Sequence, residues 1–413
     1  MKEFSNFEAM FAASIGLEEP WRIEKAEFEE QTHSVHIYVA ANKNAPYPCP
    51  VCGTASKRYD NEEERIWQHG DVVFFPCYVH CRRPRIKCTK CGQIHVVTAP
   101  WARERSRYTL LFEAYSMLLA EKLPIEQARK FLRISHTSLT NIVAYWVGKR
   151  VGEDDLSSVT AINIDETSFK KGQSYVTVVC DAAKRRVIDV EQGRGAQQVW
   201  DFSLKLEEKG GDSNKIAQAA CDMSAAYLSG IRDCFPKVVT VIDKFHVKKL
   251  MLDAMHEVRR EEQGQEARSR KAGRKLLMIP QGRMTGQQLE KVQELSRKYP
   301  KTGRAFRMVQ SLDVMYACRT LQEAKQRFGQ LISWLKRSRL EPMKRAANTL
   351  LEHKTQILAY FFSRLTNAVA EGINSLIQAG KRKARGFRTF RGYSTMIYLT
   401  CSRLDFAPVP LFD

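Results

Sequence analysis

The chain has 413 residues, 44% hydrophobic and 27% charged, and its 66 Lys and Arg outnumber 46 Asp and Glu to leave a formal net charge of +20. That length carries more than one hydrophobic core, and the charge selects a polyanionic partner. No apolar run approaches the roughly 20 residues of a membrane span, and Met1–Trp21 lacks a signal peptide's basic start and apolar centre, which argues against an embedded or secreted class and predicts a cytoplasmic protein.

In chain order, residues 1–100 read as a β-rich, zinc-binding module. Ile23–Val39 is strand-like and would support it. Six of the eleven cysteines fall between Cys49 and Cys91, and in a reducing compartment such crowding points to metal or buried thiols rather than disulfides. Cys49-Pro50-Val51-Cys52-Gly53 and Cys88-Thr89-Lys90-Cys91-Gly92 are two C-x-x-C-G knuckles. Each turn aims two thiolates at one point, and its glycine frees the backbone to donate to sulfur, so a structural Zn²⁺ on Cys49, Cys52, Cys88 and Cys91 is expected. Cys77, Cys81 and His95 are near enough to compete, although Cys77-x3-Cys81 lacks the knuckle glycine.

Residues 101–155 turn helical. Leu110–Lys122 places Leu111, Tyr115, Leu118 and Leu119 on one apolar face. Leu123-Pro124 breaks the helix, Ile125–Leu132 forms another, Arg133–His136 is a turn, and Thr137–Arg150 is a third helix capped by Thr137. Two short helices across such a turn in a basic chain resemble a helix-turn-helix, with Ser138, Asn141 and Lys149 as candidate DNA contacts.

Residues 156–248 alternate short strands and helices: Ala161–Asp165, Ser174–Asp181 after a turn over Lys170–Gln173, Arg186–Glu191, a helix Ala196–Glu208, Ile216–Cys221, a helix Ser224–Arg232, and Val238–Ile242. This β-β-β-α-β-α-β order predicts a mixed α/β sheet. Asp165, Asp222 and Asp243 each follow an apolar run, at the tip of a strand. Carboxylates brought together at strand tips repel unless a cation lies between them, and a hard ion such as Mg²⁺ (or Mn²⁺) takes oxygen ligands while leaving room for water and phosphate. Solvated strand ends are the structural alternative.

Residues 249–360 are charged, helix-favouring and punctuated by Pro280, Pro300 and Pro342, with an amphipathic piece at Phe328–Leu335 and basic stretches at Arg259-Arg260 and Arg268–Lys275. Recurring apolar positions predict a large all-helical insertion rather than a linker. In residues 361–413, Asn367, Glu371 and Asn374 share one helical face while Val369, Ile373, Leu376 and Ile377 form an apolar one, so Glu371 would point to the strand tips. The basic run Lys381, Arg382, Lys383, Arg385 and Arg388 follows directly, beside the acids, as a second candidate DNA-binding surface.

Taken together, Ile164-Asp165-Glu166-Thr167, Cys221-Asp222-Met223-Ser224-Ala225-Ala226-Tyr227 with Gly230-Ile231, Asp243-Lys244-Phe245-His246, and Asn367-x3-Glu371-Gly372-x-Asn374 before Lys381-Arg382-x2-Arg385-Gly386-Phe387 resemble the ISL-three family of bacterial insertion-sequence transposases over nearly the whole chain. The resemblance implies an RNase H-like DDE core interrupted by the helical insertion and preceded by a zinc finger and a helix-turn-helix. It puts the catalytic, Mg²⁺-holding triad on Asp165, Asp222 and Glu371, and makes Asp243 and His246 a neighbouring, core-supporting motif. By spacing alone, Asp243 remains a rival for the second acid. The partners implied are terminal inverted repeats and target DNA, handled by a homodimer. The activity implied is metal-dependent strand cleavage followed by strand transfer with the freed 3′-OH as nucleophile. A regulator that binds DNA without chemistry leaves the acids unexplained; a nuclease of the same core would cut without joining.

Overall fold

The computed structural model describes residues 7–170, 174–264, 271–363 and 368–409. Residues 171–173 of the expected turn, the basic residues 268–270 and Asn367 lie outside the described residues. The chain divides into two compact units, one running to Arg150 and including the residues from Leu404 onward, the other Val151–Arg403.

In the first unit, helix α1 (Phe7–Ser14) precedes strands β1 (Trp21–Glu29), β2 (Ser34–Ala41), β3 (Tyr47–Pro48), β4 (Ala55–Ser56), β5 (Arg58–Asn61), β6 (Arg65–Val72), β7 (Phe75–Cys81), β8 (Pro84–Lys87) and β9 (Ile94–Val96). They make a four-stranded sheet in the order β1-β2-β7-β6, a three-stranded sheet β5-β8-β9 and a small hairpin β3-β4. Period-two alternation buries Ile37 and Val39 of β2 with Cys77, Val79 and Cys81 of β7, and Trp67 of β6 meets Trp101 edge to face at 5.6 Å.

Helices α2 (Leu110–Lys122), α3 (Ile125–Leu132) and α4 (His136–Gly152) follow where the pattern predicts them. Two details differ. Ser135, not Thr137, caps α4, its hydroxyl accepting from the Ser138 N–H at 3.0 Å. The buried side of α2 is Phe112, Glu113, Ala114, Ser116, Met117 and Ala120, whereas Tyr115 is exposed. The reason is Glu113, a wholly buried carboxylate accepting from Arg103 Nε (2.8 Å), Ser106 Oγ (2.6 Å) and Trp146 Nε1 (2.6 Å). A carboxylate satisfied three times belongs in a core, although its letter suggests solvent.

The second unit is built on β10 (Ala161–Ser168), β11 (Tyr175–Asp181), β12 (Arg186–Gln192), β13 (Gln218–Cys221) and β14 (Val239–Ile242), with α5 (Ala196–Glu208) and α6 (Ala225–Cys234) between the later strands. The sheet order is β12-β11-β10-β13-β14; the first three strands are antiparallel neighbours and β13 and β14 run parallel to β10. Every described element of the next stretch is helical: α7 (Lys244–Gln263), α8 (Lys271–Leu277), α9 (Gly286–Lys298), α10 (Pro300–Tyr316), α11 (Leu321–Arg337), α12 (Glu341–Glu352) and α13 (Lys354–Ser363). Phe328, Leu331, Ile332 and Leu335 are buried in their shared core, as the amphipathic pattern requires.

Helices α14 (Ala368–Lys383) and α15 (Phe390–Cys401) return to the sheet. One face takes Val199, Phe202, Tyr227 and Ile231 from α5 and α6; the other takes Ile373, Ile377, Tyr393 and Ile397 from α14 and α15 against Val176, Val178, Val187 and Val190. Leu376, expected on the apolar face of α14, is instead 58% exposed, while Ile373 and Ile377 are buried against the sheet and Val369 packs on the same cluster.

Candidate active site and metal centre

Sulfur ligands converge in the first unit. In each knuckle the glycine N–H donates to the first cysteine's carbonyl, Gly53 to Cys49 at 2.9 Å and Gly92 to Cys88 at 3.0 Å, with φ of 71° and 70° that glycine adopts without strain. The four ligand sulfurs of Cys49, Cys52, Cys88 and Cys91 all lie within 4.8 Å of one another, Cys49 to Cys91 at 3.9 Å and Cys52 to Cys88 at 3.5 Å. A tetrahedral zinc with bonds of about 2.3 Å places its sulfurs about 3.8 Å apart, so the set fits Zn²⁺. The Cys91 N–H donates to Cys88 Sγ at 3.5 Å and pulls that thiol down to about 6, towards the thiolate a metal needs. Cys77 and Cys81 are core residues of β7 whose burial pushes both thiols up to about 12. His95 Nε2 reaches Cys91 Sγ at 3.3 Å but stands outside the four-sulfur group.

Carboxylates gather in the second unit, and here the sheet register does the positioning. Asn163 of β10 pairs with Ala220 of β13, and Ala220 with Val241 of β14. Two residues further along each strand direction are Asp165, Asp222 and Asp243, which form a row across three neighbouring strands. Asp165 is not at a strand tip as predicted. β10 continues to Ser168 because Asp165–Ser168 stay paired with β11, Asp165 opposite Val178. Its open side faces β13, whose pairing with β10 ends at Asn163. Burial raises the Asp165 carboxyl to about 6, helped by Asp243 and Asp222 and opposed by the Glu166 N–H.

Asp165 is held at both oxygens, Oδ1 by the Glu166 N–H (2.8 Å) and Oδ2 by Asn374 Nδ2 (2.8 Å). Asn374 shares a face of α14 with Glu371, whose carboxyl is raised by burial and by Asp243 and lowered by His246. His246, on the first turn of α7, puts Nε2 4.0 Å from both Asp165 Oδ1 and Asp243 Oδ2. Asp222 anchors the start of α6 by accepting from the Ser224 N–H at 2.9 Å. The donors are hard oxygens, the set a Mg²⁺ requires. Among the described residues they form no group as close as the four cysteines.

Beyond Asn374, α14 runs along β10: Gln378 Nε2 donates to Thr167 Oγ1 at 2.6 Å and Lys381 Nζ to the Ser168 carbonyl at 2.6 Å. The basic run is therefore not beside the acids but about ten residues, roughly 15 Å, down the helix from Glu371. Lys381 is committed to β10, while Arg382, Lys383, Arg385 and Arg388 are exposed. On α4 the exposed stripe is Thr137, Asn141, Tyr145 and Lys149, at intervals of four; Ser138 is half-buried and tied to Ser135. The i, i+4 spacing would have found Thr137 and Tyr145, which the choice of polar letters alone missed.

A zinc-coordinating set, a helix-turn-helix and a sheet carrying a row of acids define a protein that grips and processes DNA, and comparison with known families agrees segment by segment. Residues 162–397 match the DDE transposase family of ISL3, residues 97–147 the helix-turn-helix domain of transposase family ISL3, and residues 45–91 the zinc-finger of transposases IS204/IS1001/IS1096/IS1165. The first match covers more than half of the chain, which belongs to the ISL3 family and is a DNA transposase with a DNA-binding helix-turn-helix. It is 25% identical over 425 residues to the transposase for insertion sequence element IS1557 of Mycobacterium tuberculosis, with 95% of both chains covered. It is 24% identical over 384 residues to the transposase for element IS1001 of Bordetella parapertussis, covering 91% of this chain and 94% of that one. The zinc-finger match contains all four cysteines and supports a structural zinc on them. Among the described residues no helix is long and apolar enough to cross a membrane.

Proposed function

We propose that the second unit is an RNase H-like core in which Asp165, Asp222 and Glu371 hold two Mg²⁺ (or Mn²⁺) ions and catalyse cleavage at the terminal inverted repeats, then strand transfer into target DNA. The observation that carries this reading is the register that sets Asp165 level with Asp222 and Asp243, with the Glu371 helix bonded to Asp165 through Asn374. The strand order, three antiparallel neighbours flanked by two strands parallel to the first, supports the fold assignment. When bound, such ions activate the attacking oxygen and offset charge on the departing 3′ oxygen. The chain's own part is to hold and orient. Asn374 and the Glu166 N–H fix Asp165, Asp243 and His246 support the row from β14 and α7, and the exposed cations at the end of α14 and just beyond it track phosphate.

Functionally we divide the chain into the zinc module 1–100, the helix-turn-helix 101–155, the core 156–248 and 361–413, and the insertion 249–360, acting as a homodimer on the bacterial nucleoid. Ser138, Asn141 and Lys149 are proposed to meet the repeat. A second reading makes Asp243 the second acid, favoured by its greater burial and by its effect on Glu371. Purified protein incubated with Mg²⁺ and repeat-bearing DNA should both nick the end and join it to a second duplex. Cutting without joining would reduce the reading to a nuclease, and binding without cutting to a regulator.

A further inference from the structure

The β6–β7 hairpin breaks a rule of turn chemistry. Val72 pairs with Phe75, so Val73 and Phe74 form a two-residue loop, and both have positive φ, 49° and 73°. Loops with this backbone ordinarily carry Asn-Gly, because large side chains strain there and β-branched ones most of all. Here the positions hold a valine and a phenylalanine, 76% and 87% exposed. A local rule broken with no packing gained in return marks a functional position.

The loop is fixed to the helix-turn-helix. Arg133, left-handed at the end of α3 with φ 54°, donates Nη1 to Asp71 Oδ2 at 2.9 Å and Nη2 to the Phe74 carbonyl at 3.3 Å. Gln68 of β6 donates to the Leu132 carbonyl at 3.2 Å, and at the hairpin's base Phe75 meets Phe28 edge to face at 5.1 Å. Phe131, two residues before Arg133, is also 69% exposed. The apolar tip thus stands at the turn that leads into the N-terminus of α4, the end of a recognition helix that meets base edges, and its one acid is paired.

We propose that Val73 and Phe74 form an apolar wedge that enters the minor groove beside the segment read by α4 and unstacks a base step there, a role that rests on α4 being the recognition helix. Apolar side chains of this size enter minor grooves and kink the duplex. The Arg133 clamp delivers them at a constant offset from α4, so the tip senses how readily the DNA next to the repeat deforms.

The test uses full-length protein and a repeat-bearing duplex with 2-aminopurine placed at successive flanking positions. Wild type should raise fluorescence at one step, Phe74→Leu should keep that signal, and Val73→Gly and Phe74→Gly should abolish it and weaken end binding about tenfold. Glycine suits both backbone conformations without strain, so a melting temperature that is not lowered in these variants separates a missing wedge from a disrupted fold. Full signal and affinity in both glycine variants, while Asn141→Ala loses end preference, overturns the wedge alone. End preference retained by Asn141→Ala overturns the reading of α4 and the wedge with it. Glycine variants that fall from dimer to monomer in sedimentation with the fluorescence signal intact make the tip an interface between copies, which also overturns it.

Discussion

The four-cysteine set and the acidic row proposed to hold Mg²⁺ would solve the same problem, holding a cation, by opposite means. The cysteines come from two short knuckles, each closed by its own glycine hydrogen bond, and their sulfurs already sit at zinc spacing. The acids come from β10, the ends of β13 and β14, and α14, far apart in sequence, and remain more loosely gathered. A structural site gains from closure, since the metal's binding energy becomes folding energy. A site for phosphodiester chemistry gains from openness, since substrate oxygens must complete the coordination.

The largest expected effect breaks the closed site. Stripping the metal with a chelator, or Cys88→Ser, should unfold the zinc module, because structural zinc contributes apparent binding energies of about 10–16 kcal/mol. Elemental analysis should give one zinc per chain, and near-ultraviolet circular dichroism should lose the signal of the Trp67–Trp101 pair. A chain free of zinc yet fully folded would end the contrast.

Next come the acids. Asp165→Asn, Asp222→Asn and Glu371→Gln should each slow end cleavage by about 10³-fold or more while leaving end affinity nearly unchanged, since the amide keeps each side chain's shape and removes its charge. Asp243→Asn in the same assay decides the second acid: loss there with retained cleavage in Asp222→Asn would move the site towards β14. A smaller effect is expected at Asn374, whose hydrogen bond to a charged carboxylate is worth about 1.5–3 kcal/mol. Asn374→Ala should lower the cleavage rate by roughly 10- to 100-fold without changing end affinity, and Asn374→Gln should recover part of it. Unchanged rates would show that Asp165 is oriented by the strand alone.

The smallest effect is electrostatic. Neutralising Arg382, Lys383, Arg385 and Arg388 together should weaken binding to repeat and random duplex alike and lower the log–log salt slope by about one for each phosphate no longer neutralised. If only end preference fell, this run would belong to sequence reading, and α4 would lose its separate role.

Much of this was legible from local pattern. The knuckles announce their four ligands because C-x-x-C-G is a turn whose geometry is set within five residues. The α3 helix at Ile125–Leu132 and the α5 helix at Ala196–Glu208 begin and end where breaker residues and apolar spacing put them. The acids were recognisable as a set, by their place after apolar runs and by resemblance to a family, but not their arrangement. That Asp165 lies inside a strand, level with Asp222 and Asp243, follows from pairings between strands separated by turns and whole helices, which no local spacing encodes. Tertiary structure alone also decided that Glu113 belongs in a core, that Leu376 does not, and that Val73 and Phe74 stand exposed on a strained turn clamped by Arg133. The deciding partners, Arg103 and Trp146 for Glu113 and Arg133 for the turn, lie on other elements of the chain. Chain-local forces select helices, strands and knuckles; burial and long-range hydrogen bonds choose which side chains face each other, and the candidate catalytic site is made entirely of such choices.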